Sequence, residues 1–233
     1  MDGPLLDHKG RPVVVITGVG LVTSLGVGAS DCWTRLLAGQ SGVKSITRFP
    51  TEGLRTTIAG TVDDIAVTPT SAHDLSTAIA EAAASEAIAQ AGIGRASYFP
   101  GPLIVATPPS ELEWPHLGKL HGAGRDEELA GYRRILANAR TGAFASLARH
   151  VRFSSIADRL QERFGTQGEP LSVCTACASG ATTIQLGLEA IRRGDTEAAL
   201  CVGTDATVHP EGLIRFSLLS ALSTANEQPQ KAS

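Results

Sequence analysis

Apolar positions along the chain form short β-branched runs separated by stretches of helical spacing. Pro12 to Thr17 reads Pro-Val-Val-Val-Ile-Thr and runs into Gly18-Val19-Gly20, which predicts a buried strand followed by a turn. Leu103 to Thr107, Leu171 to Thr175 and Ala198 to Gly203 predict further strands. Pro100-Gly101-Pro102 marks a turn before the first of these, and Pro108-Pro109 ends it. Between them the spacing changes. Ser30 can cap a helix from Asp31 to Ala38, stopped by Gly39, with Trp33, Leu36 and Leu37 as its apolar side. A helix starting at Asp74 or Ser76 runs to Ala91 and stops at Gly92; Leu75, Ile79, Ala83 and Ile88 share its Ala-rich inner face. Ala143 to Phe164, Ala178 to Arg193 (stopped by Gly194) and Glu211 to Ala221 also read as helices. Ser41 to Val67 is irregular or forms short strands. The polar stretch from Ser110 to Arg140 allows a helix from Glu127 to Asn138, and Gly165 to Pro170 connects. Strands alternating with helices predict an α/β fold with a mostly parallel sheet. No linker divides residues 11–233, which read as one domain after a flexible N-terminal stretch 1–10.

Composition narrows the function classes. A net charge of -3 and a pI near 6.1 exclude a broadly basic nucleic-acid binder. Aromatic residues at 4% argue against a base-stacking surface. Pro12 to Ser30 and Pro170 to Leu188 carry no charge, and each is long enough to raise the question of a membrane span. Both are studded with Gly, Ser and Thr, so they read as elements buried on several sides, with no membrane partner. Met1 to Lys9 holds Asp2, Asp7, His8 and Lys9 and no apolar core of a signal peptide. Four cysteines in 233 residues do not make a disulfide scaffold. The expectation is a reduced, cytoplasmic enzyme.

The chemistry concentrates in Leu171-Ser-Val-Cys-Thr-Ala-Cys177-Ala-Ser-Gly180. A strand enters a tight turn and Cys177 sits where a helix begins. Unpaired N–H groups and the positive end of the dipole favour a thiolate there, and the same amides can receive an oxyanion. The small residues Ala178, Ser179, Gly180 and Ala181 allow close approach to the sulfur. This is the strand–nucleophile–helix arrangement of hydrolases with a cysteine as nucleophile. Cys32, beside Trp33 in a helix, and Cys201, mid-strand, read as buried structural thiols.

Cys174 and Cys177 also make a Cys-x-x-Cys pair, but Cys174 belongs to the strand and the flanks lack the aromatic and proline residues of redox sites. A zinc site needs about four ligands, and His8, His73, His116, His121, His150 and His209 are scattered, so no metal is expected. Gly18-Val19-Gly20 lacks the third glycine of a dinucleotide fingerprint, since Thr23 stands there; no nucleotide cofactor follows from it.

Val13-Val-Val-Ile-Thr-Gly-Val-Gly20, Leu37-Ala-Gly-Gln-Ser-Gly42, Thr175-Ala-Cys-Ala-Ser-Gly180 and Ala221-Leu-Ser-Thr-Ala-Asn226 occur in this order. Together they resemble the β-ketoacyl-[acyl-carrier-protein] synthases, closest to the type II elongating form, from about Arg11 to Ser233. The resemblance implies the N-terminal half of a thiolase-like αβαβα fold. It implies that Cys177 takes an acyl group from an acyl carrier protein, and that decarboxylation of malonyl-carrier protein gives a carbanion that attacks the acyl-Cys. It implies no cofactor, and a homodimer with Ser172 to Thr175 at the interface. The segment Thr107-Pro-Pro-Ser-Glu-Leu-Glu-Trp-Pro115 departs from the Gly-rich acyl-pocket segment common in the family.

The family's second half carries histidines in His-Gly-Thr and Gly-His motifs that support decarboxylation, and no histidine of this sequence matches either. His209, followed by Pro210, belongs to neither. The expectation is a chain with the nucleophile, inactive in condensation by itself, with an apolar face beside the Cys177 helix. Two alternatives stand beside this: a non-catalytic partner of the chain-length-factor kind, which usually lacks the cysteine, and a thiolase-type acyltransferase.

Overall fold

The computed structural model describes residues 5–67, 71–95, 97–123 and 130–232. A parallel three-stranded sheet forms its centre, in the order β6-β5-β7, with β5 Leu103–Ala106, β6 Leu171–Val173 and β7 Leu200–Gly203. Every residue of β5 is buried, as the charge-free Leu-Ile-Val-Ala run requires of a central strand covered on both faces. On one face, Leu103, Val105, Leu200 and Val202 pack against α2 (Ala72–Ala91) and α5 (Ser155–Phe164) through Ala80, Ala84, Ile156, Leu160 and Phe164. On the other lies α6 (Ser179–Arg193). Its Gly187 sits so close to β7 that an added Cβ would stand 2.6 Å from the Cys201 sulfur.

The remaining elements flank this core. Two small antiparallel pairs are β1 Val22–Thr23 with β2 Gly26–Val27, and β3 Val43–Ser45 with β4 Ile58–Gly60. The helix α1 is Ala29–Leu37, α3 Trp114–Gly122, α4 Tyr132–Arg140 and α7 Pro210–Leu218, and a 3₁₀ turn spans Ala145–His150. Among the described residues no helix is long and apolar enough to cross a membrane.

The expected strands Leu103 to Thr107, Leu171 to Thr175 and Ala198 to Gly203 form the sheet, each slightly shortened. The long helix starts earlier than Asp74: Ser71 is its N-cap, its Oγ accepting from the Asp74 amide at 3.0 Å, and Gly92 ends it at φ 64°. Ser30 does not cap α1, whose N-cap is Gly28. The expected single helix over Ala143 to Phe164 is broken, because the 3₁₀ turn ends at His150 before α5 begins at Ser155. Within the stretch from Glu127 to Asn138, residues 127–129 lie outside the described residues, and helix is present from Tyr132.

The expected buried strand at Pro12 to Thr17 is the clearest correction. The segment forms no ladder beyond a single bridge at Pro12, and Val15 and Ile16 are exposed at 68% and 73%. The reason lies in α2. An added Cβ on Gly18 or Gly20 would run into the carbonyl oxygens of Ala87 or Ala83, so the two glycines let this backbone cross the helix in contact with it. Side chains of α2 then accept its amides: Gln90 from Val19 at 2.6 Å and Glu86 from Leu21 at 2.9 Å and Ala29 at 2.7 Å. The Gly-x-Gly pair thus serves helix contact; neither residue has a positive φ that would mark a tight turn.

Candidate active site

The strand β6 ends at Val173, and six residues later α6 starts at Ser179 with Ala178 as its N-cap. Cys177 lies immediately before that cap and is exposed, as is Cys174; both are free thiols. Ala176 adopts φ 52°, one of two non-glycine residues in the left-handed region among the described residues, at a cost of about 1–2 kcal/mol. Ser179 holds this bend. Its Oγ accepts from the Thr175 amide at 2.8 Å and donates to the Ala176 carbonyl at 2.6 Å. Backbone bonds from Ala178 to Thr175 (3.3 Å) and Ser179 to Ala176 (3.1 Å) close the turn. Thr175 Oγ1 meets Thr182 Oγ1 at 2.9 Å, tying the strand end to the helix one turn on. Since Ser179 spends its hydroxyl on the turn, α6 has no side-chain cap. The amides in the first turn of such a helix lack intrahelical acceptors. An added Cβ on Gly180 would meet nothing, so the space there is open. The arrangement offers an exposed sulfur on a bent backbone at the start of a helix.

The other cysteines are packed. Cys32 is buried and donates to the Gly26 carbonyl at 3.2 Å. Cys201 donates to the Thr183 carbonyl at 3.2 Å, and burial pushes its thiol up to about 11. Two sequence motifs near the ends also serve structure. Gly39 ends α1 at φ 66°, and Gly42 packs on Ser24. Asn226 accepts from the Thr57 amide at 2.9 Å and donates to the Arg55 carbonyl at 3.1 Å, pinning the Ala221 to Asn226 motif to the segment leading into β4.

Histidines scattered in sequence are not scattered in space. His73 on α2, His116 on α3 and His150 at the end of the 3₁₀ turn converge, with ring centroids 5.1 Å apart for His73–His150 and 4.3 Å for His116–His150. His73 and His150 line a small cavity at the C-terminal ends of β5 and β7, together with Thr107, Glu113, Thr207 and His209. His209 is the N-cap of α7, its Nδ1 accepting from the Gly212 amide at 3.3 Å. No sequence spacing signals the three-histidine cluster, because its members come from separate elements.

Residues 11–233 match the family described as "Beta-ketoacyl synthase, N-terminal domain". The chain is 32% identical over 231 residues to a 3-oxoacyl-[acyl-carrier-protein] synthase 2 of Coxiella burnetii, an alignment covering 94% of this chain and 52% of that protein. It is 29% identical over 232 residues to the tetracenomycin polyketide synthase ketoacyl synthase alpha subunit of Streptomyces glaucescens, with the same coverage. Among solved structures, the ishigamide ketosynthase/chain length factor superposes with a TM-score of 0.62 at 27% identity, covering 88% of this chain and 50% of that one. The fold is therefore the thiolase-like fold of ketosynthases, and the chain spans about half the length of the relatives it matches.

Proposed function

The chain belongs to the β-ketoacyl synthase family through its N-terminal domain, and from that premise we propose that it is the nucleophile-bearing half of a condensing enzyme. The exposed Cys177 on a strained strand-to-helix bend carries the reading. In the first step the Cys177 thiolate adds to the carbonyl carbon of an acyl thioester on an acyl carrier protein. The first-turn amides of α6 receive the oxyanion. The carbon–sulfur bond to the carrier breaks, leaving acyl-Cys177 and the carrier thiol. In the second step malonyl-carrier protein loses CO₂. The carbanion attacks the acyl-Cys carbonyl, releases the Cys177 thiolate and gives 3-oxoacyl-carrier protein. No histidine in this sequence stands in the family's His-Gly-Thr or Gly-His motif, so the groups that assist decarboxylation lie outside these residues.

Two further observations support the reading. Apolar side chains stand exposed outside the main core, among them Ile184 on α6 at 53% and Phe216 and Leu218 on α7 at 51% and 80%. This suits a face that packs against a second half. The strand β6 lies at the sheet edge, with Leu171 half exposed and Ser172 Oγ buried without a partner. That edge suits the homodimer contact proposed for Ser172 to Thr175. A 3-oxoacyl-[acyl-carrier-protein] synthase and a polyketide ketoacyl synthase subunit both stand among the relatives; fatty-acid elongation in the cytoplasm is the specific role proposed here. The intact Cys177 disfavours a chain-length-factor role.

The test is intact-protein and peptide mass spectrometry after incubation with acyl-carrier protein. The reading expects one acyl group on Cys177 that survives Cys174→Ala and disappears in Cys177→Ala. Acyl label on Cys174, or none on the chain joined to its complementary half, overturns it.

A further inference from the structure

The cluster beyond β5 and β7 is built differently from an ordinary buried ion pair. Ser155 Oγ lies 2.7 Å from the Arg149 carbonyl and 2.8 Å from the Arg152 carbonyl, so its proton is committed to these acceptors. His73 Nε2, 2.7 Å from the same oxygen, is then the donor of that pair. In the neutral ring this leaves His73 Nδ1 with a bare lone pair, facing Asp74 Oδ1 at 3.4 Å. Two acceptors in such contact require a positive centre between or beside them.

A positive centre is already nearby. The Arg149 guanidinium donates through Nε to His150 Nε2 at 3.3 Å and through Nη2 to Asp74 Oδ2 at 3.1 Å. Its side chain is 55% exposed and free to swing outward. His150, by contrast, is 3% exposed, and its Nδ1 has no hydrogen-bond partner; nor has Nδ1 of His116, which is 8% exposed. One ligand atom from each of His73, Asp74 and His150 falls within 4.8 Å of the others.

From this geometry we infer that His73, Asp74 and His150 form a binding site for a divalent transition-metal ion of the zinc class, which displaces the Arg149 side chain and clamps the 3₁₀ turn to the head of α2. Two imidazoles and a carboxylate suit zinc, cobalt or iron(II) over calcium or magnesium, which prefer oxygen. The hydrogen bond from His73 Nε2 to Ser155 is the outer-shell contact that fixes a ligating tautomer. Metal–donor bonds of about 2.1 Å place donors no more than about 4.2 Å apart, so binding draws His150 inward as Arg149 leaves. The fourth position opens to the cavity lined by Thr107 and Thr207, which has room for a water. The inference is independent of the condensation chemistry proposed for Cys177.

The test is titration of the full-length natural protein, stripped with chelator, with Zn²⁺ against a chromophoric competitor and with Co²⁺ by absorbance. One equivalent should bind with a Co²⁺ spectrum lacking thiolate charge transfer. His73→Ala and His150→Ala should each weaken binding by about 100-fold, and Ser155→Ala by about 10-fold. Arg149→Ala removes the competing cation and should tighten binding about fivefold, a gain that a folding defect cannot mimic. Cys174→Ser/Cys177→Ser should leave binding unchanged. Absence of stoichiometric binding, retention of it in both histidine variants, loss of it in the cysteine variant, or weakening by Arg149→Ala overturns the inference.

Discussion

Two constellations sit at the same end of one sheet and are made in opposite ways. The Cys177 bend is a local object. Thr175, Ala176, Cys177 and Ser179 lie within a few residues of each other, and hydrogen bonds between near neighbours close the turn. It is exposed, and the chemistry proposed for it rests on backbone amides and one sulfur. The His73–His150 cluster is a nonlocal object: α2, α3, the 3₁₀ turn and α5 contribute its parts, with His116 and His150 buried and His73 partly buried. A local constellation can be removed without disturbing the core, whereas a nonlocal one is part of what holds the layers in place.

The sharpest break of the comparison is Cys177→Ala. It should abolish acyl-enzyme formation while leaving the thermal midpoint within about 2 °C, since an exposed side chain carries little stability. Loss of the fold in this variant would show the bend to be structural after all.

Acid should act on the other constellation. Burial, then the neighbouring His116, pushes His150 down to about 4, against the raising influence of Asp74; His73 and Arg149 lower it further. The unfolded chain protonates this ring near 6.5 while the folded protein resists, so the unfolded state binds more protons between these values. Stability from this group is complete above about 6.5 and is lost as pH falls toward 4, by at most about 3 kcal/mol. Denaturant unfolding of the wild type and His150→Gln across this window measures it; the variant should show the flatter profile. Equal slopes would mean that the imidazole is not buried neutral.

Ser179→Ala removes both side-chain bonds that hold the bend and should cost about 1–2 kcal/mol, with slower acylation of Cys177. Stability by denaturant and labelling by acyl thioester would separate the two effects. The smallest change is Ala176→Gly. It relieves a left-handed alanine, and against the added freedom of the unfolded chain the net effect should stay within about 1 kcal/mol. A loss above about 2 kcal/mol would show that the Ala176 methyl packs against something essential.

The pattern of the chain located the sheet well because each of its strands is a short apolar run bounded by Pro, Gly or charge, and a central strand such as Leu103 to Ala106 must be apolar on both faces. The Ala-rich helix α2 was legible for the same reason, through Gly92 and its periodic Leu75 and Ile79. Pro12 to Thr17 misled because a β-branched run is necessary for a buried strand and insufficient for one. It needs a ladder partner, and here Gln90 and Glu86 side chains take the amides that follow it. The break at residues 151–154 escaped the periodicity because the apolar spacing continues through it while the backbone changes from 3₁₀ to α.

By itself the sequence determined the family motifs, the strand–bend–helix around Cys177 and the glycines at helix ends, since these depend on neighbours within a few residues and on conformations that only certain side chains tolerate. The tertiary structure alone decided that Gly18 and Gly20 press on α2, that Gly187 meets Cys201, and that three histidines from separate elements meet ring to ring. Those contacts arise from how the layers pack, and packing joins residues whose distance along the chain carries no trace of their distance in space.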